Sequence, residues 1–149
     1  MRESIRRLAA PAFVAALLIL DRLTKLWAVY YLKPRIEIPL LPFFSLAYVE
    51  NTGVAFGLFY GRNSPMIFVS AILIAGLLWW RRGIPKEERL TRAAVLLILS
   101  GAIGNLYDRL AYGYVVDFLF IHHWPVFNAA DSCICVGACL LALTMSKGN

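Results

Sequence analysis

The stretch Ala93-Ala94-Val95-Leu96-Leu97-Ile98-Leu99-Ser100-Gly101-Ala102-Ile103-Gly104-Asn105-Leu106-Tyr107-Asp108-Arg109-Leu110-Ala111-Tyr112 decides the fold class. Its length falls within the roughly 17–25 residues that a helix needs to cross a bilayer. Its first half is uninterrupted hydrocarbon, and its second half carries Asn105, Asp108 and Arg109. Charges at membrane depth are expensive, so they mark a polar site inside a membrane protein. Three more apolar runs accompany it: Leu8 to Leu32, Ser64 to Trp80 and Ala129 to Met145. The expected fold is therefore a single mainly α membrane domain over 1–149, with four transmembrane helices.

Composition agrees. The 149-residue chain is 60% hydrophobic and 16% charged, with a mean hydropathy of +0.68. A soluble domain of this size has no core large enough to hide that much apolar surface. The net charge is +6. Its Lys and Arg lie in short clusters between apolar runs, as topology determinants do, which argues against nucleic acid as a partner. Cys133, Cys135 and Cys139 share one apolar run at spacings that fit no zinc site, and read as small hydrophobes.

Arg2, Arg6 and Arg7 before Leu8–Leu20 resemble the start of a signal peptide, but no small-residue cleavage site follows. The run continues through Asp21, Arg22 and Lys25 to Trp27, Tyr30 and Tyr31, an interfacial aromatic anchor. It reads as an uncleaved first span. With the N-terminus inside, the inner segments hold Arg2, Arg6, Arg7, Arg81, Arg82, Lys86, Arg89, Arg92 and Lys147. The outer loops hold Lys33, Arg35 and Arg62. Nine against three places both termini in the cytoplasm. The outer loop 33–63 is rich in aromatic and β-branched residues, and short strands are expected at Ile36–Pro39, Phe43–Glu50 and Val54–Tyr60. A second outer loop, Gly113 to Asn128, contains His122, His123 and Trp124, for which no ligand role is expected.

At about 1.5 Å per residue, Asp21 lies roughly 20 Å from the inner face, and Asn105, Asp108 and Arg109 lie at similar depth. Asp117 follows the third span, and Asp131 opens the fourth. Four aspartates thus meet in one layer near the outer surface. Each also has a plainer reading. Asp21 and Lys25, four apart, can pair along a helix, and Asn105 and Arg109 share a face in the same way. Asn128 and Asp131 can be a helix N-cap and its third-position partner. Gly101 and Gly104 can simply allow close helix contact.

Two carboxyls in one site can cleave a peptide without metal or covalent nucleophile. One ionises and takes a proton from water, while the other keeps its proton and stabilises the carbonyl oxygen. Asp117 and Asp131 flank one short loop and are the natural pair. The sequence holds no H-E-x-x-H, no G-x-S-x-G and no phosphate-binding glycine loop. A proton-coupled carrier that uses the acids as a relay is a rival reading, though the chain has no internal symmetry and its acids stop short of the inner face. A lipid-binding scaffold without turnover is another.

Five blocks carry a resemblance to the bacterial lipoprotein signal peptidases (signal peptidase II). Asp21-Arg22-Leu23-Thr24-Lys25 resembles the family's D-x-x-x-K element, and Asn51-Thr52-Gly53-Val54-Ala55-Phe56-Gly57 its N-x-G-x-A-F motif. Gly101 to Arg109 resembles G-x-x-G-N-x-x-D-R, and the run continues from Gly113 to Val116-Asp117-Phe118. Phe127-Asn128-Ala129-Ala130-Asp131-Ser132 is similar to the F-N-x-A-D block. The segment between Phe118 and Phe127 is short for the family.

The resemblance implies an aspartic endopeptidase with Asp117 and Asp131 catalytic, acting on prolipoproteins just before a diacylglyceryl-modified cysteine. It implies that Asn51, Asn105, Arg109 and Asn128 line the site or hold substrate backbone. Asp21, Lys25, Gly53, Gly101, Gly104 and Asp108 would shape and support it. It further implies a small extracytoplasmic β-sheet cradle, a short outer helix, no cofactor and no metal. Membrane lipid would surround a chain that needs no second copy, in the bacterial inner membrane.

Overall fold

The computed structural model describes residues 2–35, 37–53 and 63–146, with residues 2–7 described by backbone alone. The order is α1 (Arg2–Tyr31), β1 (Glu37–Leu41), β2 (Phe44–Asn51), α2 (Asn63–Arg81), α3 (Arg89–Tyr112), β3 (Val115–Ile121) and α4 (Ala129–Ser146). The expected strand Val54–Tyr60 and the expected short outer helix lie outside the described residues or are not found among them.

Helix α3 is the central element and packs against α1, α2 and α4. Its buried residues, from Thr91 through Ala94, Val95, Ile98 and Leu99 to Asn105 and Asp108, recur at spacings of three and four and form one broad face, which Ser100 and Gly104 widen. By contrast α2 buries none of its residues, and Phe68, Val69, Ile72 and Trp79 on it are exposed. Such outward apolar surface belongs in lipid. Among the described residues, three helices are long and apolar enough to cross a membrane: α2, α3 and α4. The fourth expected span, α1, is a 30-residue helix whose apolar run is broken by Asp21, Arg22 and Lys25.

Two boundaries differ from the sequence reading. Helix α3 begins at Arg89 rather than Ala93, because Arg89 and Arg92 lie on a first turn and not in a loop. Arg92 Nη1 donates to the Ile84 carbonyl at 2.9 Å, and Ile84 packs against Val95 and Leu99. The segment 113–128 also contains β3, which was read as loop. Residues Val115–Phe118 are buried on both faces, so the strand lacks the alternation that marks a half-exposed one.

The sheet is antiparallel, in the order β1-β2-β3. One face of it rests on the C-terminal end of α1, where Ala28, Leu32, Val116 and Phe118 form a buried cluster. Gly113 ends α3 in the left-handed conformation (φ +81°), and its N–H bonds the Arg109 carbonyl. That turn aims the chain into β3. After β3, Phe127 pairs with Leu119 through hydrogen bonds of 2.8 and 2.9 Å, which closes the short loop and delivers Asn128 beside Asp117.

Candidate active site

Asp117 lies on β3 and is 2% exposed. In the β2–β3 register Asn51 faces Val115, so Asn51 and Asp117 are diagonal neighbours on one face. Asn51 Nδ2 donates to Asp117 Oδ2 at 2.7 Å, and Asn128 Nδ2 donates to Oδ1 at 2.6 Å. Asp131 lies in the first turn of α4. Asn105 Nδ2 donates to its Oδ1 at 2.7 Å, and the Asn128 backbone N–H to its Oδ2 at 3.2 Å. In return Asn128 Oδ1 accepts from the Asp131 N–H at 2.9 Å. The capping reading of Asn128 and Asp131 is thus a real contact, a reciprocal box at the head of α4. The same Asn128 side chain donates to Asp117, so one residue bonds both carboxylates, Asp117 through its side-chain amide and Asp131 through its main-chain N–H.

Below this pair lies a buried ion cluster. Lys25, fully buried, places Nζ 2.8 Å from Asp21 Oδ2, 2.7 Å from Asp108 Oδ2 and 2.9 Å from Asn105 Oδ1. The expected Asp21–Lys25 pair along the helix is present, and Asp108 from α3 joins it. Asp21 Oδ1 also accepts the Ala130 N–H at 3.1 Å, which fastens α1 to the head of α4. Buried charges survive only when so satisfied. Asp108 and Arg109, adjacent in sequence, point to different partners. Arg22 Nη1 lies 3.2 Å from Asp108 and its Nη2 donates to Tyr112 Oη at 2.8 Å, while Arg109 Nη2 donates to the Gly53 carbonyl at 3.3 Å. The Gly53 N–H in turn bonds Asn51 Oδ1.

The glycines set the helix spacing. A Cβ at Gly101 would overlap the Ala130 carbonyl and stand 2.7 Å from Ile134 Cγ1. One at Gly104 would stand 2.8 Å from Asp21 Oδ2. The small residues thus bring α4 against α3 and make room for a carboxylate.

Every residue singled out from the sequence as catalytic or supporting lies in this connected region. The sequence reading missed three participants. Arg22, partly exposed, donates to Asp108, the Ala130 N–H donates to Asp21, and Asn63 Nδ2 donates to the Arg109 carbonyl at 2.9 Å. Arg22 was legible as a charge inside an apolar run. The other two depend on main-chain groups and carry no sequence signal. A groove of about 420 Å³ opens beside Asp131, between Trp124, Phe127, Ser132 and Cys135. Among the described residues no group of three His, Cys, Asp or Glu is placed to hold a metal ion.

Asn128→Ala removes both a helix cap and a carboxylate donor. Loss of the cap is expected to cost about 1 kcal/mol, which the thermal unfolding midpoint checks.

The chain is similar to known proteins over nearly its whole length. The model of the family described as Signal peptidase (SPase) II matches residues 13–147. The lipoprotein signal peptidase of Clostridium novyi (strain NT) is 42% identical over 136 residues, covering 87% of this chain and 92% of the relative. That of Pseudoalteromonas translucida (strain TAC 125) is 46% identical over 141 residues, covering 89% and 85%. A bacterial membrane enzyme solved by the in meso method at 2.3 Å superposes with a TM-score of 0.83 at 25% identity, covering 93% of this chain and 87% of that one. Fold, length and sequence agree along the whole matched region, and on those grounds the chain belongs to the signal peptidase II family.

Proposed function

We propose that this protein is an intramembrane aspartyl endopeptidase that cuts diacylglyceryl-modified prolipoproteins just before the lipidated cysteine, with Asp117 and Asp131 as its catalytic pair. The observation that carries this reading is the Asn128 side chain, bonded to Asp117 Oδ1 and to the Asp131 N–H at once. With its main-chain N–H on Asp131 Oδ2, the one residue contacts both carboxyls, Asp117 buried and Asp131 half-buried beside the groove. A water there loses a proton to one carboxylate and attacks the scissile carbonyl, and the other carboxyl donates to the carbonyl oxygen. Asn51, Asn105, Arg109 and Asn128 orient the pair and the substrate backbone, while Asp21, Lys25, Asp108, Gly53, Gly101 and Gly104 support them.

In this reading α1 is the fourth span, its charges satisfied inside the bundle. The termini are cytoplasmic, and the sheet forms a cradle on the outer side of the bacterial inner membrane. A monomer suffices. A diacylated cysteine stays in the outer leaflet, so its peptide bond meets the site at headgroup depth. The groove between Trp124 and Cys135 leads from Asp131 along α4 toward lipid and suits the approach of such a residue. Lipid burial, at about 0.8 kcal/mol per CH₂, supplies much of the affinity.

Incubating the protein in nanodiscs with lipidated and unlipidated precursor, then weighing the products, tests the proposal. One cut before the cysteine, in the lipidated precursor only, is the expected result. Intact precursor would favour a relay or a scaffold instead.

The pH response follows from Asp117, which stands above the spans on β3. Burial, and then the charge of Asp131, push its carboxyl from the ordinary 3.8 up to about 7, against the pull of the Asn51 and Asn128 amides. Cleavage is expected to decline as pH rises through about 7, because the pair then loses its shared proton. The folded state holds this proton more tightly than the unfolded chain. Its contribution to stability is therefore fully present below pH 3.8 and is lost as pH rises through about 7. Initial rates and unfolding midpoints between pH 5 and about pH 9 check both signs.

A further inference from the structure

We propose that Lys25 is a positioning residue of the reaction: its ammonium locks the Asn105 amide so that Asp131, not Asp117, stays ionised and takes the proton from water. The inference rests on the peptidase reading above and assigns the two carboxyls different tasks.

The geometry is directional. Asn105 Oδ1 accepts Lys25 Nζ at 2.9 Å and Asn128 Nδ2 at 3.3 Å. Flipping the Asn105 amide would press its NH₂ against an ammonium that has no other orientation open to it, held as it is by Asp21 and Asp108. Asn105 Nδ2 therefore faces Asp131 Oδ1, at 2.7 Å. An N–H aimed at a carboxylate favours the charged form. Asp131 also sits in the first turn of α4, where the helix dipole favours negative charge. Asp117 lies on a strand, with no helix terminus behind it.

The proton balance closes. Water gives one proton to Asp131 as its oxygen bonds the carbonyl carbon, and the carbonyl oxygen takes the proton of Asp117. When the C–N bond breaks, the departing nitrogen takes the proton from Asp131. One hydroxyl of the intermediate returns a proton to Asp117, which leaves a carboxylic acid, an amine and the starting pair.

Among the described residues, the charged and titratable groups around the pair are Asp21 and Lys25 on α1, Asp108 and Arg109 on α3, and His122, His123 and Cys135, which line the groove beside Asp131. A His122→Gln/His123→Gln background removes the imidazoles from the measurement. On it, Asn105→Ala is expected to move the acidic limb of the cleavage profile up by about one pH unit while the alkaline limb stays, whereas Lys25→Met moves the acidic limb up and, because its charge also acts directly on Asp117, the alkaline limb with it. Adding Lys25→Met to Asn105→Ala should move the acidic limb less than Lys25→Met moves it alone, because the part of the coupling carried by that amide is already gone, and full additivity overturns the proposal. A merely structural lysine lowers the rate at every pH and moves neither limb, and that result overturns the proposal. Movement of the alkaline limb alone also overturns it, by making Asp117 the base.

Asn105→Ala leaves the Lys25 ion pairs intact, so it carries the test if Lys25→Met fails to fold. Infrared titration of the carboxylate bands, as a difference against Asp131→Asn, reads the same shift in variants that no longer turn over. The parent reading fails separately, if Asp131→Asn itself still cleaves.

Discussion

Asp131→Asn and Asp117→Asn are each expected to lower cleavage of a lipidated precursor by at least about 1,000-fold, because paired acid–base groups act as a unit and removing one member disables the other. The substitutions are nearly isosteric. At position 131 an asparagine keeps the first turn of α4 and accepts from the Asn128 N–H at the cost of setting its NH₂ against the Asn105 amide, so the capping box survives in weakened form. At position 117 the new side chain stays between the Asn51 and Asn128 amides, one of which must turn to avoid a donor–donor contact. Both variants should therefore accumulate in membranes and unfold cooperatively. The decisive measurement is single-turnover cleavage set beside the unfolding midpoint. Near wild-type turnover by either variant, properly folded, would remove it from the catalytic pair.

Gly101→Val should lose both fold and activity. Its Cβ would collide with the Ala130 carbonyl, which is main chain and has nowhere to rotate, and with Ile134. Separating α3 from α4 would shift Ala130, whose N–H holds Asp21, and with it the neighbouring Asp131. Overpacking of this kind typically costs about 1–3 kcal/mol, and the backbone clash puts Gly101→Val at or beyond the upper end. Gly76→Ala on α2 is the matched control. Nothing lies within 4 Å of its would-be Cβ, and the change should be neutral or mildly stabilising. Detergent-solubilised unfolding midpoints separate the two. Equal midpoints for Gly101→Val and wild type would mean that the α3–α4 contact is looser than described.

Much of this was legible from residue order. The apolar runs of α2, α3 and α4 announce a bilayer by length alone. Spacings of four and three announce Asp21 with Lys25 and Asn128 with Asp131, because both contacts are made within or at the head of one helix. Strand β2 shows through its aromatic and β-branched Phe44, Tyr48 and Val49, while β1 offers only Ile38 and its place just before β2. The run Val115 to Ile121 is equally rich, yet it escaped notice because burial on both faces erases alternation. The start of α3 was misplaced because charges at a membrane surface look alike in a helical turn and in a loop.

Residue order by itself determined that the chain enters a bilayer, that its acids gather in one layer, and which side chains within a helix meet. Only the tertiary structure decided that Asp108 shares Lys25 with Asp21, that Asn51 reaches Asp117 across a strand register, and that Asn128 serves both carboxylates. The reason is physical. Within a helix or strand, periodicity dictates the neighbour. Between elements, a buried polar group must be satisfied by whichever partner packing brings within about 3 Å, and that choice belongs to the assembled bundle.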